Sequence, residues 1–593
     1  LIRELYASSL TVLNNEEQLI PVKNLDKIRV ATLAINRNKT SAFQARLMNY
    51  HPADAFTADP SNHEQSEELI SRLSEYDLVI AGIYNTDQRP GNNFGISRDL
   101  NPFLEKLVNG AKTIFVYFGN PYALDRLEAL QKSAGLILAY QENSIAEDLS
   151  AQLIYGGISG KGHLPVTINA KWPAGFGLAT PGNLRTAYGL PENAGVSSEL
   201  LTARIDSIAT SGLTIRAYPG CEVMVARKGI VIFHKTYGYH TYENRTPVME
   251  DNLFDLASVT KISSTLAGLM LLDTRGQFSP EKTLGEYLPF FRGSNKENLT
   301  MKELLAHQAG LTPFILFWKE TMKDDSTYKR SIIRHEYSSR FPLKVADNLY
   351  INENFRHKMF AEIKKSPLGE KKYVYSDLTF IISPQIIEHL TGEKWNEFVE
   401  KNIYHKLGAY DIVFNPYLKY PPERIIPTEY DSVFRKQQLL GTVHDEAASL
   451  QGGISGHAGL FATAGDLMKL MELFRRMGRY GGEQIIAEDV LREYTRVQFP
   501  ENDNRRGLGF DKPFLNNAEL PQEETYPTRG ASPESFGHSG YTGPFVWIDP
   551  VHEISYVFLA NRVYPTRNNN KISENNIRTN ILQAVYDSIT DKP

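Results

Sequence analysis

The chain has 593 residues, 41% of them hydrophobic and 22% charged, with a formal net charge of −5. A globular chain of this length exceeds one hydrophobic core, so two or three domains are expected. The near-neutral balance, with no basic tract, excludes a polybasic nucleic-acid binder, and without an apolar run of about 18 residues a helical membrane span is excluded.

The opening text, "LIRELYASSLTVLNNEEQLIPV", reads as a helix already in progress, with neither an initial Met nor a signal peptide. The chain is therefore expected to be part of a longer polypeptide. From 28 to 170, apolar runs at 28–35, 77–84, 113–119 and 135–140 alternate with helical spacing at Glu64 to Leu73 and at 101–110. Near-continuous apolar runs suit strands covered on both faces, and the alternation predicts an α/β layer fold with a mostly parallel sheet. Residues 171–196, rich in Pro and Gly, have the composition of a linker.

A second domain is predicted over 197–593. "EVMVARKGIVIFHKTYGY" (222–239) reads as a hairpin turning at Lys228-Gly229, and "FVWIDPVHEISYVFLANR" (545–562) as another turning near Asp549-Pro550. Helices are expected at 379–392 and 464–478. Strands at both ends with helices between predict an α+β domain, one antiparallel sheet flanked by helices. The single cysteine, Cys221, excludes an intrachain disulfide and reads as a buried structural thiol. No HExxH or His–carboxylate spacing points to a metal, and no cofactor is expected.

The stretch "FDLASVTKISSTLAGLMLLDT" (254–274) places Ser258 three residues before Lys261 at the head of an apolar helix. Ser-x-x-Lys recurs at Ser279–Lys282 and Ser326–Lys329, but Pro280 follows the first and the second lies in a charged stretch. Only Ser258 begins a run, with Ile262, Leu266, Leu269 and Met270 at helical spacing, that would bury its lysine. On such a helix both residues share a face near the N-terminus. They read either as a nucleophile with its base or as an N-cap with a snorkelling lysine.

Two later clusters favour the first reading: Tyr375-Ser376-Asp377, and His538-Ser539-Gly540 just before the final hairpin. With "MKELLAHQAGL" (301–311) and "GGISGHAGLFATAGDL" (452–467), they form an ordered set. The set resembles the serine β-lactamase and penicillin-binding-protein superfamily, in its class C-like esterase and peptidase branch, over roughly 195–590. That resemblance implies Ser258 as acylated nucleophile, and Lys261 either as base or as the partner of a Tyr375 phenolate. It also implies an oxyanion hole from the backbone amides of Ser258 and Tyr541, with substrate contacts from Asp377, His538, Ser539 and Gly540. Asp377 stands where the family has Asn and either pairs with Lys261 or meets a substrate amine. His538 stands where the family has Lys, making a carboxylate anchor dependent on pH. Both departures point away from a dedicated β-lactamase. His457 either lines the substrate cleft or caps a turn, and His307 reads as structural.

Residues 1–170, through "ASSLTVLNNEEQLIPV", "VYFGNPYALDRL" and "LAYQENSIAEDLSAQLIYGGISGKGHLPVTI", resemble the C-terminal α/β sandwich domain of glycoside hydrolase family 3. In the β-N-acetylglucosaminidase branch the catalytic groups lie on an N-terminal TIM barrel absent from this sequence, so no glycosidase site is expected here and the barrel is the expected partner. The combination implies a peptidoglycan-recycling amidase acting on small muropeptide substrates outside the cytoplasm or in the periplasm. The alternatives are an esterase, a D-Ala-D-Ala carboxypeptidase, or a non-catalytic peptidoglycan-binding module.

Overall fold

The computed structural model describes residues 1–591. Two compact units make up the chain: Leu1–Tyr188 with His405–Tyr410, and Gly189–Tyr404 with Asp411 onward.

In the first unit, strands β1 (Thr11–Asn15), β2 (Val30–Ile35), β3 (Ala53–Ala58), β4 (Leu78–Ile83), β5 (Thr113–Tyr117) and β6 (Gly135–Leu138) form one sheet, ordered β1-β6-β5-β4-β2-β3. Every pairing is parallel except β1 with β6. The four apolar runs expected as strands are β2, β4, β5 and β6. Side chains alternate between two cores: Val79, Phe115 and Leu136 face one, Ile80, Val116 and Ile137 the other. Helices at Ala42–Met48, His63–Leu73, Leu100–Gly110 and Ser144–Ile154 separate successive elements. The opening text is not one helix: Ile2–Ser9 is helical and Thr11–Asn15 is β1. Thr11, Val12 and Leu13 are buried, and the ladder to β6 outweighs their continuation of the helix. Edge strand β3, with Asp54 and Ala55 exposed, lacks the apolar run by which its neighbours announce themselves. Of the 171–196 stretch, Trp172 is fully buried in the first unit's core.

In the second unit, β7 (Gly220–Arg227) and β8 (Ile230–Gly238) form the first predicted hairpin, with Lys228 at φ 53° and Gly229 at φ 77° in its tight turn. Three short strands follow, β9 (Phe254–Asp255), β10 (Ile412–Phe414) and β11 (Leu460–Ala462), then β12 (Phe536–Ser539), β13 (Phe545–Asp549) and β14 (Ile554–Ala560). The antiparallel order β12-β13-β14-β7-β8 joins the two ends of the unit, Cys221 opposite Ala560 and Val225 opposite Tyr556. Helices Ser198–Thr214 and Ile577–Asp587 bury Leu201, Ile205, Ile581 and Val585 against Val223, Tyr556 and Phe558. Helix Ala464–Arg475 packs on β14, β13 and β7. Cys221 is fully buried, and desolvation pushes its thiol up to about 12.

The small sheet β9-β11-β10 sets the site. Phe254 pairs with Ala462 and Asp255 with Phe461, which brings the residues just before Ser258 beside those just after His457.

Candidate active site

Between β9 and the nucleophile helix the backbone turns sharply. Ala257 has φ 43°, a left-handed conformation costing a non-glycine residue on the order of 1–2 kcal/mol. The Asp255 carboxylate accepts from the Ala257 amide at 2.8 Å and from the His444 amide at 2.8 Å, holding the turn. Helix follows, and Lys261–Leu266 form a π-helical turn. Such turns occur mostly as local insertions and frequently at functional sites. This one is secured from outside: Tyr404 donates to the Ser263 carbonyl at 2.7 Å, and Thr265 Oγ1 to the Gly456 carbonyl at 2.9 Å.

Lys261 is fully buried, and its Nζ faces the Tyr375 hydroxyl as well as three oxygens at close range. It lies 2.8 Å from Ser258 Oγ, 3.2 Å from the His457 carbonyl and 2.7 Å from Asp377 Oδ1. Burial pulls the lysine down, but the charges of Asp377 and Tyr375 outweigh it and raise it above its ordinary value. The resting side chain is therefore an ammonium donating to Ser258 Oγ. Asp377 has met its partner within the protein, the first of the two roles its carboxylate had open.

The Tyr375 ring lies 5.2 Å from Lys261 Nζ and 4.6 Å, centroid to centroid, from the His307 ring. His307 Nδ1 accepts the Ser376 amide at 3.1 Å, and its carbonyl accepts the Val374 amide at 3.0 Å. His307 thus anchors the segment carrying Tyr375, the structural part expected of it.

Ser258, Tyr375, Asp377, His457 and Tyr541 all line one cleft of about 370 Å³. Phe314, Phe317, Trp318 and Ile381 supply apolar walls. Tyr541 is half exposed; its carbonyl is held by Arg562 Nε at 2.7 Å, and its ring stacks on His444. Among the described residues no backbone hydrogen bond engages the amide of Ser258 or of Tyr541. The alternative of a turn-capping His457 gives way to a chain of contacts: Gln451 donates to Ser455 Oγ, which meets His457 Nδ1 at 2.9 Å, while His457 Nε2 meets Asp445 Oδ1 at 2.8 Å.

His538 is placed differently from the expectation. It is 2% exposed, does not line the cleft, and its Nδ1 meets the Ser539 carbonyl at 2.8 Å. Desolvation, with Arg506 and Lys261 nearby, lowers it to about 3. It is therefore neutral near pH 7 and supplies no pH-dependent cation for a substrate carboxylate. Ser539 and Gly540 likewise stand outside the cleft lining and lead the chain from β12 to Tyr541.

The gathering of a serine, its buried lysine and a tyrosine from three separate segments, beside an antiparallel sheet closed by both ends of its unit, agrees with a match to the beta-lactamase family over residues 205–579. The chain belongs to the beta-lactamase family. It is accordingly a serine hydrolase of the β-lactamase and penicillin-binding-protein superfamily. It is 30% identical over 402 residues to a protein of Escherichia coli (strain K12) named "Putative D-alanyl-D-alanine carboxypeptidase", covering 63% of this chain and 84% of that one. A protein of the same name from Salmonella agona (strain SL483) is 30% identical, with 68% and 92% covered. Among solved structures, EstCE1, a hydrolase with promiscuous acyltransferase activity, aligns with TM-score 0.47 and 20% identity over 65% of this chain and 99% of its own. The octameric penicillin-binding protein homologue from Pyrococcus abyssi aligns with TM-score 0.48 and 17% identity over 66% and 78%.

Sequence reasoning missed several residues of this beta-lactamase-family cleft. Asp445, Glu446 and Arg567 line it, and Glu429 organises them. Glu429 accepts from Arg567 Nε at 2.7 Å and pairs with His444 at 2.9 Å, while Arg567 also reaches Glu446 at 2.8 Å. Their only sequence signal is the stretch "VHDEAAS" (443–449), Asp445 capping the short helix Glu446–Ser449. No cluster of three or more His, Cys, Asp or Glu suited to a metal occurs among the described residues. No helix there is long and apolar enough to cross a membrane.

Proposed function

We propose that this serine hydrolase cleaves an amide in peptidoglycan-derived muropeptides through an acyl-enzyme on Ser258, at the bond between the N-acetylmuramoyl group and L-alanine. The peptidoglycan class is supported by the relatives' name. The choice of bond is carried by one observation: the basic groups lining the cleft already hold carboxylates, Arg567 those of Glu429 and Glu446, His444 that of Glu429, and His457 that of Asp445. A D-Ala-D-Ala carboxypeptidase expels an amino acid whose free carboxylate lies next to the scissile bond and needs a cation there. The muramoyl amide carries no such charge at the point of cleavage.

In the proposed reaction the Tyr375 oxygen, as a phenolate beside the Lys261 ammonium, takes the Ser258 hydroxyl proton while Oγ bonds to the acyl carbon. The amides of Ser258 and Tyr541 would receive the oxyanion, a contribution of a few kcal/mol. Collapse of the tetrahedral intermediate breaks the C–N bond, and the Tyr375 hydroxyl returns the proton to the leaving amine. Water then repeats the sequence on the ester, releasing the acid and freeing Ser258. The setting implied is the cell wall, outside the cytoplasm.

The second reading, a D-Ala-D-Ala carboxypeptidase, is favoured by the relatives' name. Incubation with an N-acetylmuramoyl-L-alanyl peptide, a D-Ala-D-Ala peptide and a nitrophenyl ester separates the readings. Free N-acetylmuramic acid is expected, with loss of release and of fluorophosphonate labelling in Ser258→Ala. Release of D-alanine alone would transfer the assignment to the second reading, and undiminished labelling of Ser258→Ala would refute the nucleophile.

A further inference from the structure

The Tyr375 ring is packed by side chains from four other segments. Lys261 comes from the nucleophile helix, His307 from the turn after helix Met301–Leu305, His538 from β12, and Arg506 from the loop preceding Asp511. Asp377 lies on Tyr375's own segment and is paired with Lys261. The two imidazoles are held neutral: His307 falls well below its ordinary value through burial and the nearby cations, and His538 falls to about 3.

Arg506 is different in kind. It is 5% exposed, its guanidinium carbon stands 5.2 Å from the Tyr375 ring centroid, and its Nε meets Tyr373 Oη at 3.3 Å. The one carboxylate at hand, Asp511, is shared. It holds Arg505 at 2.9 Å, accepts from Tyr526 at 2.8 Å, and reaches Arg506 only at 3.5 Å. Two guanidinium charges therefore face a single carboxylate, and Arg506 Nη1 is buried without a hydrogen-bond partner. A surplus positive charge remains against Tyr373 and Tyr375. The family motif places a lysine at the position of His538. In this chain that position is neutral, and the charge arrives from another loop.

We propose that Arg506 is a positioning residue for the hydrolase reaction, supplying from the 505–511 loop the positive charge that holds Tyr375 as the proton-accepting phenolate. This rests on the reading of Tyr375 as base given above. An arginine suits the place because it stays charged when buried and lies flat against aromatic rings.

The test is the pH dependence of Ser258 acylation by a nitrophenyl ester in wild type, Arg506→Met, Arg506→Lys, Asp511→Asn and Tyr375→Phe, with folding checked by circular dichroism. Loss of a neighbouring cation should move the acid limb of the profile up by about 1 to 3 units. On the limb itself, each unit lowers the rate about tenfold at fixed pH. Arg506→Lys should restore most of the shift, and Asp511→Asn should move the limb down, since it removes the carboxylate that tempers Arg506. That pair of opposite shifts also separates charge from packing if Arg506→Met folds poorly. A limb unmoved in folded Arg506 and Asp511 variants overturns the inference while leaving Tyr375 as base, provided Tyr375→Phe abolishes the limb. A wild-type limb and rate in Tyr375→Phe would instead refute the reading on which it rests.

Discussion

Replacing Asp377 by asparagine restores the amide typical of the family and removes the negative partner of a fully buried ammonium. At 2.7 Å the Lys261–Asp377 attraction is worth about 6 kcal/mol for an effective dielectric of about 20. The asparagine oxygen and the contacts to Ser258 and His457 retain part of it, and removing one partner of a buried pair costs roughly 3–5 kcal/mol. The low end, about 3 kcal/mol, is the expected loss of stability at neutral pH. With a urea slope of about 3 kcal/mol/M this moves the midpoint down by about 1 M. The sign against pH distinguishes this cause from simple loss of packing. In the native protein Lys261 is raised, so its contribution is complete below the unfolded value of about 10.4 and is lost as pH rises through the higher folded one. In Asp377→Asn the larger of the two counterweights is gone, Tyr375 alone should no longer offset desolvation, and the lysine should be lowered. The variant should therefore regain stability as pH climbs from 7 to 10, because the unfolded chain then binds more protons than the folded one. Urea unfolding of both proteins at pH 7 and pH 10 measures this. A deficit that is absent at pH 7, or that grows toward pH 10, would refute the ion pair as the source of Lys261's charge.

Two further outcomes follow from the same cleft. Burial works against the Glu429 carboxylate, but His444 and Arg567 more than offset it and hold it at about 2. Its contribution to stability should be present above about pH 4.3 and lost as pH falls toward 2, so acid titration followed by circular dichroism should lose that step in Glu429→Gln. Gly456→Ala places a Cβ hard against the Phe380 carbonyl and Thr265 Oγ1, one residue before the His457 carbonyl that Lys261 meets, and should displace that carbonyl. It should cost on the order of 1–3 kcal/mol as an overpacking change and sharply slow fluorophosphonate labelling of Ser258; an unchanged labelling rate would count against the His457 contact.

Much of the fold was legible because burial on both faces writes itself into composition: β2, β4, β5 and β6 are unbroken apolar runs. β1 and β3 were not, one continuing a helical text and the other being a polar edge. Within the site, Ser258 and Lys261 declared themselves through helical spacing, which is local information. The π-helical turn after them did not, since it depends on Tyr404 and Gly456, both more than a hundred residues away. The same holds for charge. A histidine at 538 looked like a titratable anchor until its surroundings were known, and Arg506 stood in a run of polar residues with nothing to mark it. Spacing along a helix can be read from one segment; electrostatics at Tyr375 is a sum over five.

The state of Cys221 bears on how this chain can be studied. Its thiol is sealed in the central sheet and too weakly acidic to form thiolate at working pH, so sulfhydryl reagents should leave the native chain silent. A cysteine introduced at the cleft rim, for instance at the exposed Leu316, would then be the sole reactive handle on the folded molecule. A fluorophore or spin label placed there would report on occupancy of the cleft without first engineering a cysteine-free background.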